Sequence, residues 1–265
     1  MREAERLQAI VRLVGEAGFA AAQDLCVATG ASAATLRRDL AKLDADGALR
    51  RVRGGAQALA PKPSGLLTSS FHAAKLRNAA QKRAIAKAAA GLNAPGDPII
   101  INAGTTTFQM VEFLGAADLQ IVTNSFPMAE ALVARTNNRV ILPGGEIRRE
   151  QGIVLSPFDD DGLHRMAAKR MFMGAHAVGP MGVMEGDPLI ARAEAKLLAR
   201  ADELVVLVDS SKFRPGGAYA VCALGRVTTL ITDPGIPDAA RDMLQAAGVS
   251  IIVANVAAEG LSVVA

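Results

Sequence analysis

The chain has 265 residues, 51% hydrophobic and 21% charged, with 25 Gly and 12 Pro, which suits a sizeable folded core and excludes a disordered chain. Two distant Cys, three His and a 3% aromatic content exclude a disulfide framework, a zinc cluster and a base-stacking surface of aromatic platforms. No apolar run reaches the roughly eighteen residues of a membrane span and the N-terminus lacks a signal-peptide core, so the expected setting is the cytoplasm, without metal or cofactor.

The formal net charge of +3 is unevenly placed. Between Gly47 and Gly96 there is no Asp or Glu, yet Arg50, Arg51, Arg53, Lys62, Lys75, Arg77, Lys82, Arg83 and Lys87 all fall there. Such a block points to an anionic polymer or to phosphates as partner, with a merely solvated linker as the plain alternative. Residues 1–57 read as helical segments closed by a short basic piece. Leu25 and Cys26 lie on a helix that must stop at Gly30, because glycine accepts a left-handed cap. Ser32 then caps a second helix, and Cys26 and Leu36 can pack where the two cross. That is helix-turn-helix spacing, which sets the start of the second helix against base edges. Thr35, Arg37, Arg38 and, one turn on, Lys42 stand there to bond guanine or grip phosphate. Arg50, Arg51 and Arg53 follow on a basic hairpin, a wing that would reach phosphates or the minor groove. An ordinary helical hairpin with a solvated arginine face is the competing reading.

Residues 58–74 have linker composition, centred on Pro61-Lys-Pro-Ser-Gly65. A long helix is expected from about Ser70 to Leu92, stopped by Asn93-Ala-Pro-Gly96. This basic helix is a candidate for transmitting a change between the two domains or, through Lys82, Arg83 and Lys87, for touching flanking phosphates. From 75 to 265 apolar strands, at 98–102, 119–123, 139–142, 170–174, 204–209, 230–232 and 250–254, alternate with helices. The helices are expected at 106–114, 126–135, 189–201 and 238–247. The fold class is therefore an α/β domain with a largely parallel sheet covered by helices, preceded by a small winged helix-turn-helix domain.

Parallel sheets bind ligands at the carboxyl ends of their strands. The first strand ends in Asn102-Ala-Gly104-Thr105-Thr106-Thr107, where backbone N–H groups opening a helix and three hydroxyls suit one phosphate. Other strands end in Thr123-Asn124-Ser125, in Gly144-Gly145-Glu146 followed by Arg148, and in Asp209-Ser-Ser-Lys212, whose lysine supplies a countercharge. Taken singly these are caps and turns; together they are expected to line one shared pocket. His176, beside Gly174, either bonds a ligand hydroxyl or is satisfied under a loop. Met166, Met171, Met173, Met181 and Met184 read as core and pocket wall. An isomerase would need a carboxylate base with a partner group, and Glu146 is the only obvious acid at these ends. No GxGxxG follows a strand. The sheet therefore reads as a sensor without catalytic residues, and a sugar-phosphate enzyme with a DNA-binding appendage is the alternative.

The run from Gly30 to Gly47 with Arg51-Val-Arg-Gly-Gly-Ala56, then the GTTT, TNS, GGE and DSSKF pieces in that order, resemble the DeoR family of bacterial transcriptional regulators. The likeness covers nearly the whole chain. It departs at Arg53, where the family usually has His, at Asn102, where Asp is common, and at Ser156, where Gly is common. The resemblance implies a sensor half similar in fold to sugar-phosphate isomerases, and a sugar phosphate or related metabolite as effector that relieves repression. The stretch from Met173 to Asp187, leading to Glu194, is most similar to the branch concerned with L-ascorbate utilisation, which points to acidic or oxidised sugar phosphates. The partners expected are double-stranded operator DNA, that effector, and further copies of the chain in a dimer or tetramer on a repeated or palindromic site.

Overall fold

The computed structural model describes residues 3–17, 19–57, 69–115, 117–158 and 162–256, and divides into two units, within Met1–Ser64 and Gly65–Ala265. The first holds α1 (Glu3–Ala17), β1 (Phe19–Ala21), α2 (Ala22–Thr29), α3 (Ala33–Ala45), β2 (Arg50–Val52) and β3 (Gly55–Gln57). Leu36, Asp39, Leu40 and Leu43 are buried at helical spacing on α3. Its three leucines join Ile10, Val14, Leu25 and Leu49 in one core. Gly30 ends α2 in the expected left-handed conformation, with φ 67, and the Ser32 hydroxyl accepts the Thr35 N–H at 3.2 Å.

The sequence does not foretell β1, since three residues are too few for an alternation to be read. It pairs with β3, so the wing is a three-stranded sheet of order β1-β3-β2. Gly55 sits where the strands come closest, and a Cβ there would collide with the Ala20 carbonyl. Gly55→Ala is expected to destabilise this unit by about 1–3 kcal/mol. Calorimetry should show its transition fall by at least about 4 °C while the other stays put; an unchanged scan would mean the strands part at no cost.

The second unit opens with α4 (Ser69–Leu76), α5 (Ala79–Ala90), β4 (Pro98–Ile101), β5 (Gln120–Val122), α6 (Phe126–Arg135) and β6 (Arg139–Ile141). A hairpin of β7 (Glu146–Arg148) and β8 (Ile153–Leu155) follows, then β9 (Ala168–Met173), β10 (Ala177–Gly179) and β11 (Gly182–Glu185). The chain closes with α7 (Pro188–Leu198), β12 (Ala201–Leu207), β13 (Tyr219–Cys222), β14 (Thr229–Thr232), α8 (Asp238–Ala246) and β15 (Ser250–Val253). The single helix expected from 70 to 92 is two helices. Asn78 has φ 51, a left-handed conformation that asparagine tolerates better than most residues, and it separates α4 from α5. Of the expected linker, residues 58–68 lie outside the described residues, and Ser69 onward is helical. The helix expected at 106–114 is a 3-10 run over Thr107–Phe113.

The seven expected strands form one parallel sheet of order β15-β14-β12-β9-β4-β5-β6. Both faces are buried, as continuous apolar strands require. Ile99 and Ile101 pack on one side with Ile85, Ala89, Met128 and Leu132 of α5 and α6. Ile100 packs on the other with Leu197 of α7 and Leu244 of α8. The chain builds outward from β4 to β5 and β6, then returns to β9 and builds the opposite way. The order therefore reverses between β4 and β9, the switch point at which such sheets open a crevice. The sheet of order β10-β11-β13 and the β7–β8 hairpin are antiparallel strands of three or four residues, too short to read from sequence. Met171 and Met173 are core as expected, whereas Met181 is exposed. Among the described residues no helix is long and apolar enough to cross a membrane.

Candidate DNA-reading face and effector cavity

Burying one face of α3 leaves Ala34, Arg37, Arg38, Ala41 and Lys42 exposed on the other. The alanines keep that face low while the arginines stand out from it, a shape suited to a groove. Asp39 points inward and holds α1 through two bonds with Arg6, of 2.6 and 3.2 Å. Ser32 and Thr35 share a hydroxyl bond of 2.9 Å at the helix start. Lys42 bonds Glu3 at 2.8 Å on the surface and would have to exchange that partner for a phosphate. Arg50, Arg51 and Arg53 are exposed on the wing, and the Arg51 N–H reaches Asp44 at 3.3 Å, which ties the wing to α3.

The phosphate contact expected of Lys82 fails. Lys82 is buried, its Nζ donates to the Ala74 carbonyl at 2.6 Å, and burial pushes its pKa below the usual lysine value. Arg83 forks onto Glu112 and lies 5.2 Å from the Phe113 ring centroid. Only Lys87 of the three is exposed.

The polar strand ends do not meet in one pocket. Gly104 and Thr105 line a cavity of about 470 Å³ with Phe71 and Ala74 of α4, Ile153 of β8, and the acids Glu150, Glu185, Asp187 and Glu194. Asn124, Glu146 and Arg148 line a different cavity of about 300 Å³ with Val154 and Leu155 of β8, Arg192 and Lys196. The β7–β8 hairpin, absent from the sequence reading, is what sorts them. Gly145, with φ 155, serves the hairpin, since a Cβ there would collide with the Leu155 carbonyl; Gly144 is exposed beside it. Lys212 follows β12, two strands from β4, and lines neither cavity. His176 is exposed, with its ring against Gly186 and Gly216, and lines neither.

Several predicted ligand groups are already engaged. The Thr107 hydroxyl donates to the Asn102 and Gly104 carbonyls at 2.8 and 3.1 Å. Thr123 accepts the Ser125 N–H at 3.1 Å, and Ser125 caps α6 by accepting the Met128 N–H at 3.3 Å. Asn124 accepts the Ala103 N–H at 2.8 Å. Thr106 is buried at the start of the 3-10 turn. These bonds shape the loop after β4. Its remaining N–H groups, at Gly104, Thr105 and Thr106, have no partner among the described residues.

Asn102 spans the switch point. Its Oδ1 accepts the Gly174 N–H at 3.2 Å from the end of β9, which orients the amide so that Nδ2 donates to Glu194 Oε1 at 2.6 Å. Glu194 is 5% exposed. Burial, and then the charge of Glu185, push its pKa up to about 8 against the opposing Asn102 bond. The sequence reading passed over Glu194 as a site residue, although a signal existed. It lies within the apolar stripe of α7 formed by Ile190, Ala191, Leu197 and Leu198, where a carboxylate is out of place. Among the described residues no group of His, Cys, Asp and Glu is arranged to hold a metal ion.

Comparison with known proteins agrees with this division. Residues 6–62 match the DeoR-like helix-turn-helix domain and residues 77–234 match the DeoR C-terminal sensor domain. The chain is 34% identical over 253 residues to the HTH-type transcriptional regulator UlaR of Shigella dysenteriae serotype 1, covering 95% of this chain and 99% of the relative. The regulator of the same name from Escherichia coli K12 matches with the same identity and coverage. Among solved structures, ribose 5-phosphate isomerase A from Neisseria gonorrhoeae aligns with a TM-score of 0.39 and 19% identity over 50% of this chain and 52% of that one.

Proposed function

The chain belongs to the DeoR family of transcriptional regulators, a DNA-binding domain joined to a sensor for a small molecule, and from that premise we propose that it represses a carbohydrate-utilisation operon until a phosphorylated sugar or sugar acid binds. Residues 1–57 read the operator and residues 75–265 sense the effector. Arg37 and Arg38 contact base edges, Ser32, Thr35 and Lys42 set the helix on the backbone, and Arg50, Arg51 and Arg53 grip flanking phosphates. A dimer or tetramer would present paired wings to a palindromic operator.

The observation that carries the sensor half is the loop after β4. The N–H groups of Gly104 and Thr105, without partners among the described residues, at the switch point of a parallel sheet and on the wall of a cavity, suit a phosphate. The rim acids Glu150, Glu185 and Asp187 suit the hydroxyls of a sugar. The L-ascorbate-like stretch from Met173 to Asp187 supports an oxidised sugar. The effector acts through α4, whose Phe71 and Ala74 wall the cavity and which is the first described element after the reading domain in the sequence.

The test is operator binding to DNA upstream of the protein's own locus, with and without glucose 6-phosphate, 6-phosphogluconate and phosphorylated L-ascorbate. One of these should weaken binding by roughly 5- to 150-fold, the span of a coupling of about 1–3 kcal/mol. Turnover of a sugar phosphate without DNA binding would replace the regulator with an enzyme.

A further inference from the structure

Glu194 is the buried carboxyl of the cavity, and the roles above assign it none. Asp187 caps α7 by accepting the Leu189 and Ile190 N–H groups at 2.8 and 3.3 Å, and Glu185 accepts the Gly186 N–H at 2.6 Å. Glu194 uses only one of its oxygens. Because Gly174 fixes the Asn102 amide, Oε1 must be the acceptor of that bond, and Oε2 has no partner among the described residues. A carboxylate 5% exposed with one oxygen unpartnered is costly to keep charged, which favours the protonated form. With Oε1 accepting, a proton on this carboxyl would sit on Oε2, the oxygen free for a ligand.

Resting on the effector reading above, we infer that Glu194 is a recognition residue whose carboxylic-acid O–H donates to an acceptor oxygen of the bound sugar, selecting a carbonyl, lactone or ionised acid oxygen there over an amine. The remaining rim groups accept hydroxyls, whereas Glu194 supplies the donor. A buried neutral acid is a strong donor to such an oxygen. The titratable groups on the surrounding elements agree with a retained proton. Glu185 of β11 adds negative charge, and Cys222 of β13 is itself pushed up to about 11 by burial and stays neutral. Glu150 and Asp187 on the rim are acids, β8 and the loop after β4 carry no charge, and the Asp202 and Glu203 carboxylates belong to the opposite end of β12. Arg192 and Lys196, on the same helix, line the other cavity.

The sign of the linkage follows. Below a pH of about 8 the proton is present and affinity is constant; above it, each pH unit should cost about tenfold in affinity. The phosphate of the ligand, with a second pKa near 6, is fully ionised throughout this range and adds no slope. Titration calorimetry of the full chain with the three panel compounds between pH 7 and 9.5 reads this directly. Wild type should lose affinity above pH 8, whereas Glu194→Gln, whose amide still donates, should bind within a few fold at pH 7 and show no slope. Binding that is independent of pH in wild type, or that strengthens as pH rises, would overturn the role of Glu194 and leave the effector site standing. No binding of any panel compound at any pH would overturn the effector reading, and the Glu194 role with it.

Discussion

Replacing Arg37 and Arg38 together with alanine is expected to remove specific operator binding while leaving the protein folded. Each bidentate guanidinium–base contact is worth about 1–3 kcal/mol, so losing two should weaken specific binding by roughly 30-fold to more than 10⁴-fold. The fold should not suffer, because both side chains are exposed on α3 and alanine is the best helix former. Neighbouring Asp39 makes the contrast, since its ion pair with Arg6 holds α3 against α1 and its loss would unfold rather than unread. Fluorescence anisotropy on operator and scrambled DNA at several salt concentrations separates the cases. Loss on operator alone marks base contacts. Equal loss on both, with a shallower salt slope, would move the arginines to the phosphates. Unchanged binding would put the reading surface elsewhere.

The second large effect concerns the effector response. Phe71 meets Phe108 edge to face at 5.7 Å, and Lys75 of the same helix lies 4.6 Å from the Phe108 centroid. Phe108 belongs to the 3-10 turn that follows the proposed phosphate loop. At the far end of α4, Asn78 Nδ2 donates to Asp209 at 2.8 Å, and Lys82 holds the Ala74 carbonyl. The helix is thus fastened at one end to the 3-10 turn after β4 and at the other to the end of β12, so a ligand in the cavity would press on it through Phe71. Asn78→Ala removes the Asp209 bond and strains the left-handed φ, whereas Asn78→Gly removes the bond alone. In Phe71→Ala and Asn78→Ala the effector should still bind and effector-free operator affinity should hold, but the 5- to 150-fold response should shrink to within about twofold. Asn78→Gly should fall between wild type and Asn78→Ala if both backbone and bond matter. A full response in Phe71→Ala would free α4 of any part in signalling.

The two effects differ in how far the sequence could anticipate them. The reading helix was legible because its determinants are local. Gly30 as a stop, Ser32 as a cap and the 36, 40, 43 apolar spacing act within a turn or two of chain. The seven strands were legible for the same reason, since a run such as Pro98-Ile-Ile-Ile101 can be satisfied only between two helical layers. The GTTT loop was placed correctly at a strand end. By contrast, Asn78 hides inside a helical pattern, because its left-handed φ is stabilised by Asp209, which lies 131 positions away.

The amino-acid order by itself settled the reading helix, the seven strands of the parallel sheet and the two halves of the molecule, because capping, periodicity and turn chemistry are short-range. Tertiary structure alone decided which strand ends share a cavity, because strand order places Lys212 two strands from Gly104 and a short hairpin parts Thr105 from Arg148. It also raised the pKa of Glu194. That depends on burial and on the Asn102 and Glu185 groups brought beside it by other segments, and a pKa is a property of surroundings that no local pattern encodes.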